Sequence, residues 1–211
     1  VDRDRNDTAA VLFTGGTTGI PKGVMLTHEN IKSSAHNVSH FERSSQEDRA
    51  LCFLPPNHVF AQIHIIHSMI YAAGSLVIQP SFDLDRILDA IKRYHVTKFY
   101  VVPTVYFRFL QMSDPKEKLA SVNYCFSAAA SMPAELVREW KSRAGLNIYE
   151  AYGMTETASM VTYNHYLRHV VGSIGTPVNI VEVQIRDVQG NILGSKEEGE
   201  ICIRGPNVMK G

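Results

Sequence analysis

An excess of charge of either sign is missing from this sequence: its 211 residues carry 21 Lys plus Arg and 21 Asp plus Glu. Without surplus cations there is no electrostatic footprint for nucleic acid or an anionic membrane surface. Long apolar runs are missing as well. The richest, Ala61 to Ala73, is interrupted by His64 and His67 and is too short to cross a bilayer. Cysteine is scarce, and Cys52, Cys125 and Cys202 stand far apart in apolar, strand-like runs. Three such residues argue against a disulfide or zinc framework and for thiols buried in a reducing cytosol. No internal repeat, low-complexity linker or secretory signal is found, so the expected location is cytoplasmic. The chain begins without Met and stops at Gly211 in mid-pattern, which reads as an excerpt of a longer protein. With 45% hydrophobic and 20% charged residues it has the composition of an ordinary soluble globular protein.

What the sequence does have is the run Phe13-Thr-Gly-Gly-Thr-Thr-Gly-Ile-Pro-Lys-Gly-Val-Met-Leu-Thr-His28. Gly15, Gly16 and Gly19 reach backbone angles closed to other residues, so the main chain can turn N–H groups inward. Thr14, Thr17 and Thr18 add hydroxyls, and Lys22 adds a mobile positive charge. The combination suits a polyphosphate. It is not the P-loop of NTPases, because Pro21 precedes Lys22 and Gly23 follows it where Ser or Thr is required.

Strands and helices alternate along the chain. Ala9 to Phe13 reads as a strand entering the Gly-rich loop, and Thr27 as the cap of a helix bearing Ile31, Ala35 and Val38 on one face. Leu51 to Leu54, Leu76 to Ile78, Lys98 to Val102, Val122 to Phe126 and Asn147 to Tyr149 read as strands. Ala61 to Ala73, apolar nearly all round, reads as a buried helix. Leu84, Ile87, Leu88 and Ile91 give an amphipathic helix with Asp83 as N-cap. Val105 to Met112 is a helix, and Pro133 to Ala144 another, with Pro in its first turn and Gly145 past its end. The pattern predicts an α/β fold, a parallel-rich sheet with helices on both faces. After about residue 170, Val181, Val183 and Ile185 alternate with polar residues, a turn follows at Gln189-Gly190-Asn191, and Glu200 to Arg204 is a strand. That is an antiparallel β unit.

Tyr152-Gly-Met-Thr-Glu-Thr157 follows a short strand, where ligands gather in open α/β sheets. On chemistry alone two readings stand. Thr155 and Glu156 hold an α-phosphate and its Mg²⁺, or Thr155 is the N-cap of a helix whose dipole Glu156 complements. His58, by itself, reads as a histidine packed after the Pro55-Pro56 turn. His64 and His67, spaced i, i+3 without a carboxylate or Cys in the pattern, read as core or cleft lining rather than metal ligands. The charge runs Lys116-Glu117-Lys118 and Lys196-Glu197-Glu198 read as solvated loops.

The Gly-rich run resembles the phosphate-binding signature of the adenylate-forming enzymes, Ser/Thr-Ser/Gly-Gly-Thr-Thr-Gly-x-Pro-Lys-Gly. These are the acyl-CoA synthetases, aryl-CoA ligases, luciferases and nonribosomal adenylation domains. Tyr152-Gly-Met-Thr-Glu156 resembles their Tyr-Gly-x-Thr-Glu motif, in the expected order. The resemblance implies that Thr14, Gly15, Gly16, Thr17, Thr18, Gly19 and Lys22 embrace the β- and γ-phosphates of ATP. Thr155 would contact the α-phosphate, Glu156 would hold Mg²⁺, and Lys22, Thr155 and Glu156 would carry the catalysis. Ser127-Ala-Ala-Ala-Ser-Met132 is similar to the family's Ser-Gly-Gly/Ala-Ala-Pro-Leu segment, which places Ala129 and Ala130 with Glu150, Ala151, Tyr152 and Gly153 around the adenine. Ala128, Ser131 and Ala151 depart from the usual Gly, Pro and Gly.

His58-Val-Phe60 and Val102-Pro103-Thr104 resemble segments beside the family's acyl pocket. The Asp that pairs an amino-acid substrate is absent there, which implies an uncharged fatty or aryl tail. Gly15, where many aryl-acid relatives carry Ser, points to a fatty acid, nearest the long-chain fatty-acid–CoA ligases. Ser81 stands where many relatives have Lys, and Asn179-Ile180 replaces a common Pro-Gly. The implied layout is an incomplete large N-terminal domain. Residues 1–170 would be an α/β core (1–45 in one subdomain, 46–170 in a second), residues 171–211 a truncated β subdomain of partial-barrel type, and the small C-terminal lid domain would be absent. The implied reaction of the intact parent takes ATP and a carboxylic acid to acyl-AMP and then, with CoA as co-substrate, to acyl-CoA, with no macromolecular partner beyond the rest of its own chain. Alternatives are a nucleotide- or acyl-binding module without turnover, and an acyl-AMP ligase that loads a carrier protein.

Overall fold

The computed structural model describes residues 2–15 and 20–211. Strand β1 (Thr8–Thr14) turns back into β2 (Lys22–Thr27), and the two pair antiparallel from Thr8↔Thr27 to Thr14↔Lys22. The sequence reading expected the Gly-rich loop to lead directly to a helix. A strand intervenes because Val24 and Leu26 alternate with Gly23 and Met25 and are buried. The two strands that flank the Gly-rich run are therefore paired with each other. Helix α1 (His28–Phe41) then starts at a reciprocal cap. The Thr27 hydroxyl accepts the Asn30 N–H (3.1 Å), and Asn30 Oδ1 accepts the Thr27 N–H (2.8 Å).

Next come β3 (Arg49–Cys52) and a π-helix (Phe60–His67) that tightens into α2 (Ser68–Tyr71), where an ordinary buried helix was expected. Strand β4 (Ser75–Ile78) leads to α3 (Leu84–Tyr94). Asp83 caps α3 by accepting the Arg86 N–H at 3.0 Å. Then follow β5 (Lys98–Val101), α4 (Pro103–Leu110) with Pro at its first turn, the short α5 (Pro115–Lys118), β6 (Tyr124–Ser127) and α6 (Ala134–Ala144). Gly145 ends α6 at φ 75°, a conformation that glycine adopts without cost. The whole Lys116-Glu117-Lys118 run thus lies in the helix α5 rather than in a loop.

Strand β7 (Ile148–Met154) runs on past the loop expected at Tyr152. Its first residues pair parallel with β6, and Ala151–Met154 pair antiparallel with β8 (Ser159–Tyr163). The strands β9 (Thr176–Pro177), β10 (Glu182–Arg186) and β11 (Glu200–Arg204) complete the chain. Among the described residues the main sheet orders seven strands as β4-β3-β5-β6-β7-β8-β9, parallel through β7 and antiparallel beyond it. β1–β2 and β10–β11 form separate antiparallel pairs.

Alternation along the strands builds two cores. Leu51, Phe99, Val101 and Ile148 face α3, α4 and α6, where Tyr106, Phe109 and Trp140 pack. Ala50, Cys52, Tyr100 and Phe126 face Val38 of α1 and Phe60 and Ile65 of the π-helix. Inside the second core lies a fully buried carboxylate, Glu42, just past the end of α1. His64 Nε2 is 2.8 Å from its Oε1, and Lys98 Nζ is 3.8 Å from its Oε2. The Tyr163 hydroxyl donates to Oε1 at 2.5 Å and the Tyr100 hydroxyl to Oε2. Burial pushes the Glu42 pKa up, but His64, Lys98 and the Tyr100 hydroxyl outweigh it and hold the group below the ordinary glutamate value. The high pKa values of Tyr100 and Tyr163 follow from burial and the same negative charge.

Candidate functional site

At the loop end of the β1–β2 hairpin, Thr14 and Lys22 form the last strand pair, and Gly15 beyond them has open space where a side chain would stand. Gly16, Thr17, Thr18 and Gly19 of the predicted phosphate loop lie outside the described residues.

Thr155 and Glu156 sit on a one-turn 3-10 helix, Thr155–Thr157, that connects β7 to β8. The N-cap reading of Thr155 falls, because Met154 precedes the turn in extended conformation and no longer helix follows. Local hydrogen bonds fix this turn. The Met154 N–H donates to Thr157 Oγ1 (3.1 Å), whose hydroxyl hydrogen lies between the carbonyls of Met154 (3.0 Å) and Ser159 (2.9 Å). The Ala158 N–H donates to the Thr155 carbonyl at 3.1 Å. The following residues, Ala158 and Ser159, both have positive φ, 50° and 111°. Gly153 permits this, since a Cβ there would come within 1.9 Å of the Ser159 carbonyl oxygen. Among the described residues neither the Thr155 hydroxyl nor the Glu156 carboxylate has a hydrogen-bond partner, so both are available to a ligand.

The hairpin and the turn are tied together by a strap, residues 205–211. The Lys210 N–H donates to the Met25 carbonyl and the Met25 N–H to the Gly211 carbonyl, both at 2.9 Å. One residue earlier, the Met209 N–H donates to the Glu156 carbonyl at 2.8 Å. Asn207 Nδ2 donates to the Thr157 carbonyl (3.1 Å), and Asn30 Nδ2 donates to the carbonyls of Pro206 (2.7 Å) and Val208 (2.8 Å). Sequence reasoning missed Asn30 and Asn207. The only local signal was Asn30 three residues after a Thr cap, which announces a helix start and not its second use.

Next to the turn, the ends of β6 and β7 place Ser127 opposite Glu150. Ser127 Oγ and Glu150 Oε2 are both buried without a hydrogen-bond partner among the described residues. Burial raises the Glu150 pKa, against a Gly172 N–H that lowers it. Ala129, at φ 70°, and Ala130 follow β6 and are exposed, while Ala151, Tyr152 and Gly153 continue along β7. The predicted adenine residues thus lie on two paired strand ends around two unsatisfied polar atoms.

An apolar cavity of about 900 Å³ opens where β3, β4 and β5 end. Leu54, Ile78, Phe82, Val102 and Val105 line it, Ser81 contributes a hydroxyl, and exposed Arg108 is the one charged side chain in its wall. Of the four acyl-pocket candidates only Val102 reaches it. Pro103 is buried at the start of α4. His58 is exposed, with Nδ1 accepting the Phe60 N–H at 3.1 Å, and Phe60 is buried against His64 and Phe126.

The family model described as "AMP-binding enzyme" matches residues 1–211. A long-chain-fatty-acid–CoA ligase of Bacillus subtilis is 32% identical over 98% of this chain and 38% of its own length. 4-Coumarate–CoA ligase 4 of Arabidopsis thaliana is also 32% identical, over 97% of this chain and 38% of its own. Among solved structures, ATP-bound MatB from Rhodopseudomonas palustris superposes with a TM-score of 0.93 at 36% identity, covering all of this chain and 42% of MatB. The chain therefore spans about two-fifths of the relatives it matches.

Proposed function

The chain belongs to the AMP-binding enzyme family, and from that premise we propose that it forms the ATP- and acid-binding centre of an AMP-forming acid–thiol ligase. One observation carries the reading. Two elements far apart in sequence, the Gly-rich hairpin and the Thr155–Glu156 turn, are strapped side by side, and the turn's hydroxyl and carboxylate have no partner among the described residues.

In this reading a carboxylate attacks the α-phosphorus of ATP, pyrophosphate leaves, and acyl-AMP passes its acyl group to CoA. No protein nucleophile is required, so the residues act by positioning and by neutralising charge. The Thr155 hydroxyl holds an α-phosphate oxygen. Lys22 and the Thr14–Gly19 loop hold the β- and γ-phosphates as pyrophosphate departs. Ser127, Ala129, Ala130 and Glu150 to Gly153 enclose the adenine, with the unpaired Ser127 and Glu150 oxygens as its polar contacts. Glu156, an oxygen donor without a partner among the described residues, fits Mg²⁺, which would supply charge neutralisation on the phosphates.

The acid is a fatty acid in our proposal. The cavity at Val102 supports this, being lined mainly by apolar side chains and large enough for an extended tail. His58, Phe60 and Pro103 would border the passage from that cavity to the α-phosphate. The free, buried thiols at Cys52 and Cys125 support a cytoplasmic protein.

The test is ATP–pyrophosphate exchange by the full-length protein with a panel of fatty, aryl and amino acids. Exchange with fatty acids is expected, and CoA should then release AMP. Exchange only with aryl acids would move the substrate to that class, and no exchange with any acid would sink the enzyme.

A further inference from the structure

The Thr155–Glu156 turn is followed by a costly backbone. Ala158 and Ser159 are not glycines, yet both have positive φ, and Ser159 at 111° lies far outside the region its side chain favours. Something must hold Ser159 there. Its carbonyl takes the Thr157 hydroxyl at 2.9 Å, and its own hydroxyl lies 3.4 Å from Nδ1 of His64.

His64 is itself held on all sides. It stands on the π-helix, a form that concentrates at functional positions. Its ring stacks on Phe126, with centroids 4.4 Å apart, and its carbonyl accepts the Ser68 hydroxyl. Nε2 meets Glu42 at 2.8 Å. The carboxylate on Nε2 takes the ring hydrogen at that nitrogen, and Nδ1 is left to pair with the Ser159 hydroxyl. Glu42 is in turn fixed by Tyr100, Tyr163 and Lys98.

We propose that His64 is a positioning residue for the nucleotide turn: through Nδ1 it holds Ser159 in its left-handed conformation, and so fixes the direction in which Thr155 and Glu156 face. The Glu42 cluster orients the imidazole for this task. The proposal deepens the nucleotide reading of Thr155 and Glu156, and its test separates the two.

Two variants of the full-length protein divide the imidazole's contacts. His64→Gln keeps an amide donor towards Glu42 and leaves Ser159 without an acceptor. His64→Asn places a carbonyl oxygen near the Nδ1 position and keeps the Ser159 bond. The first measurement is hydrogen exchange of the Met154 and Ala158 amides without nucleotide, and the second is KM for MgATP in pyrophosphate exchange. In His64→Gln, exchange and KM should each rise about fivefold, the worth of one neutral hydrogen bond, with kcat changed less. His64→Asn should stay within about twofold of wild type, on the uncertainty of such comparisons. Ser159→Ala should reproduce His64→Gln, and combining them should add nothing. If His64→Asn does not fold, the Ser159→Ala and His64→Gln pair decides alone. Unchanged exchange in both, or effects that simply follow melting temperature, would overturn the proposal. Faster exchange with unaltered KM would uphold the positioning and remove the nucleotide from the turn.

Discussion

Glu42 and Glu150 are both buried carboxylates beside the central sheet, and their surroundings differ in kind. Glu42 has His64, Lys98, Tyr100 and Tyr163 around it, drawn from the π-helix, β5 and β8. Glu150 has one oxygen with no partner, opposite a Ser127 hydroxyl that has none either. The pKa shifts follow, lowered for Glu42 and raised for Glu150. A buried polar group that the chain satisfies belongs to the architecture. One that it leaves unsatisfied, at the end of a parallel strand, is available to something from outside.

Removing the closed carboxylate should produce the largest effect. Glu42→Ala leaves Lys98 buried without its counter-charge and should cost about 3–5 kcal/mol in urea unfolding. A loss below about 1 kcal/mol, the level of an exposed pair, would dissolve the contrast. The pH dependence has a definite sign. Because folding lowers the Glu42 pKa, its contribution is complete above the ordinary glutamate value of about 4.3 and disappears as pH falls through the folded value. The stability gap between wild type and Glu42→Gln should therefore close on acidification.

Glu156, the half-buried carboxylate on the turn, sharpens the comparison from the side of function. In the full-length protein Glu156→Gln should cut ATP–pyrophosphate exchange about a hundredfold. Its unfolding free energy should move by less than about 0.5 kcal/mol. Undiminished exchange would take Glu156 out of the mechanism.

The smallest expected effect is at the open site. Glu150→Gln should stabilise the ligand-free protein by on the order of 1 kcal/mol at neutral pH, the cost of an unsatisfied buried group. The sign is opposite to that for Glu42. Folding raises the Glu150 pKa, so wild type loses stability as pH climbs from about 4.3 through the raised value. Thermal melts at pH 4 and pH 8 should show a gap in favour of the variant that widens with pH. A constant gap would place the carboxylate in contact with an unseen partner.

Much of the fold was legible because its signals are local. Asp83 capping α3 and Gly145 ending α6 act within a few residues, and the Val181–Val183–Ile185 alternation needs only the period of a strand. Strand β2 was concealed by reading Thr27 as a helix start with nothing extended before it. Strand β8 was concealed because its preceding turn contains neither Gly, Pro, Asn nor Asp, and bends instead at Ala158 and Ser159. The motifs around Lys22 and Glu156 showed which residues to watch. The strap and the Glu42–His64 pair could not be read in advance, since Asn30 to Val208 and Glu42 to Tyr163 are contacts across most of the chain.

The strap also bears on the order in which this site comes into being. The Asn30 amide meets Val208 across 178 positions, and Met25 pairs with residues 210 and 211. During synthesis the Gly-rich hairpin leaves the ribosome early, yet the strap that joins it to the Glu156 turn emerges last of these parts. Contacts of such sequence separation form late and slowly. The strap can therefore join the hairpin to the turn only after the whole of the intervening sheet has been synthesised.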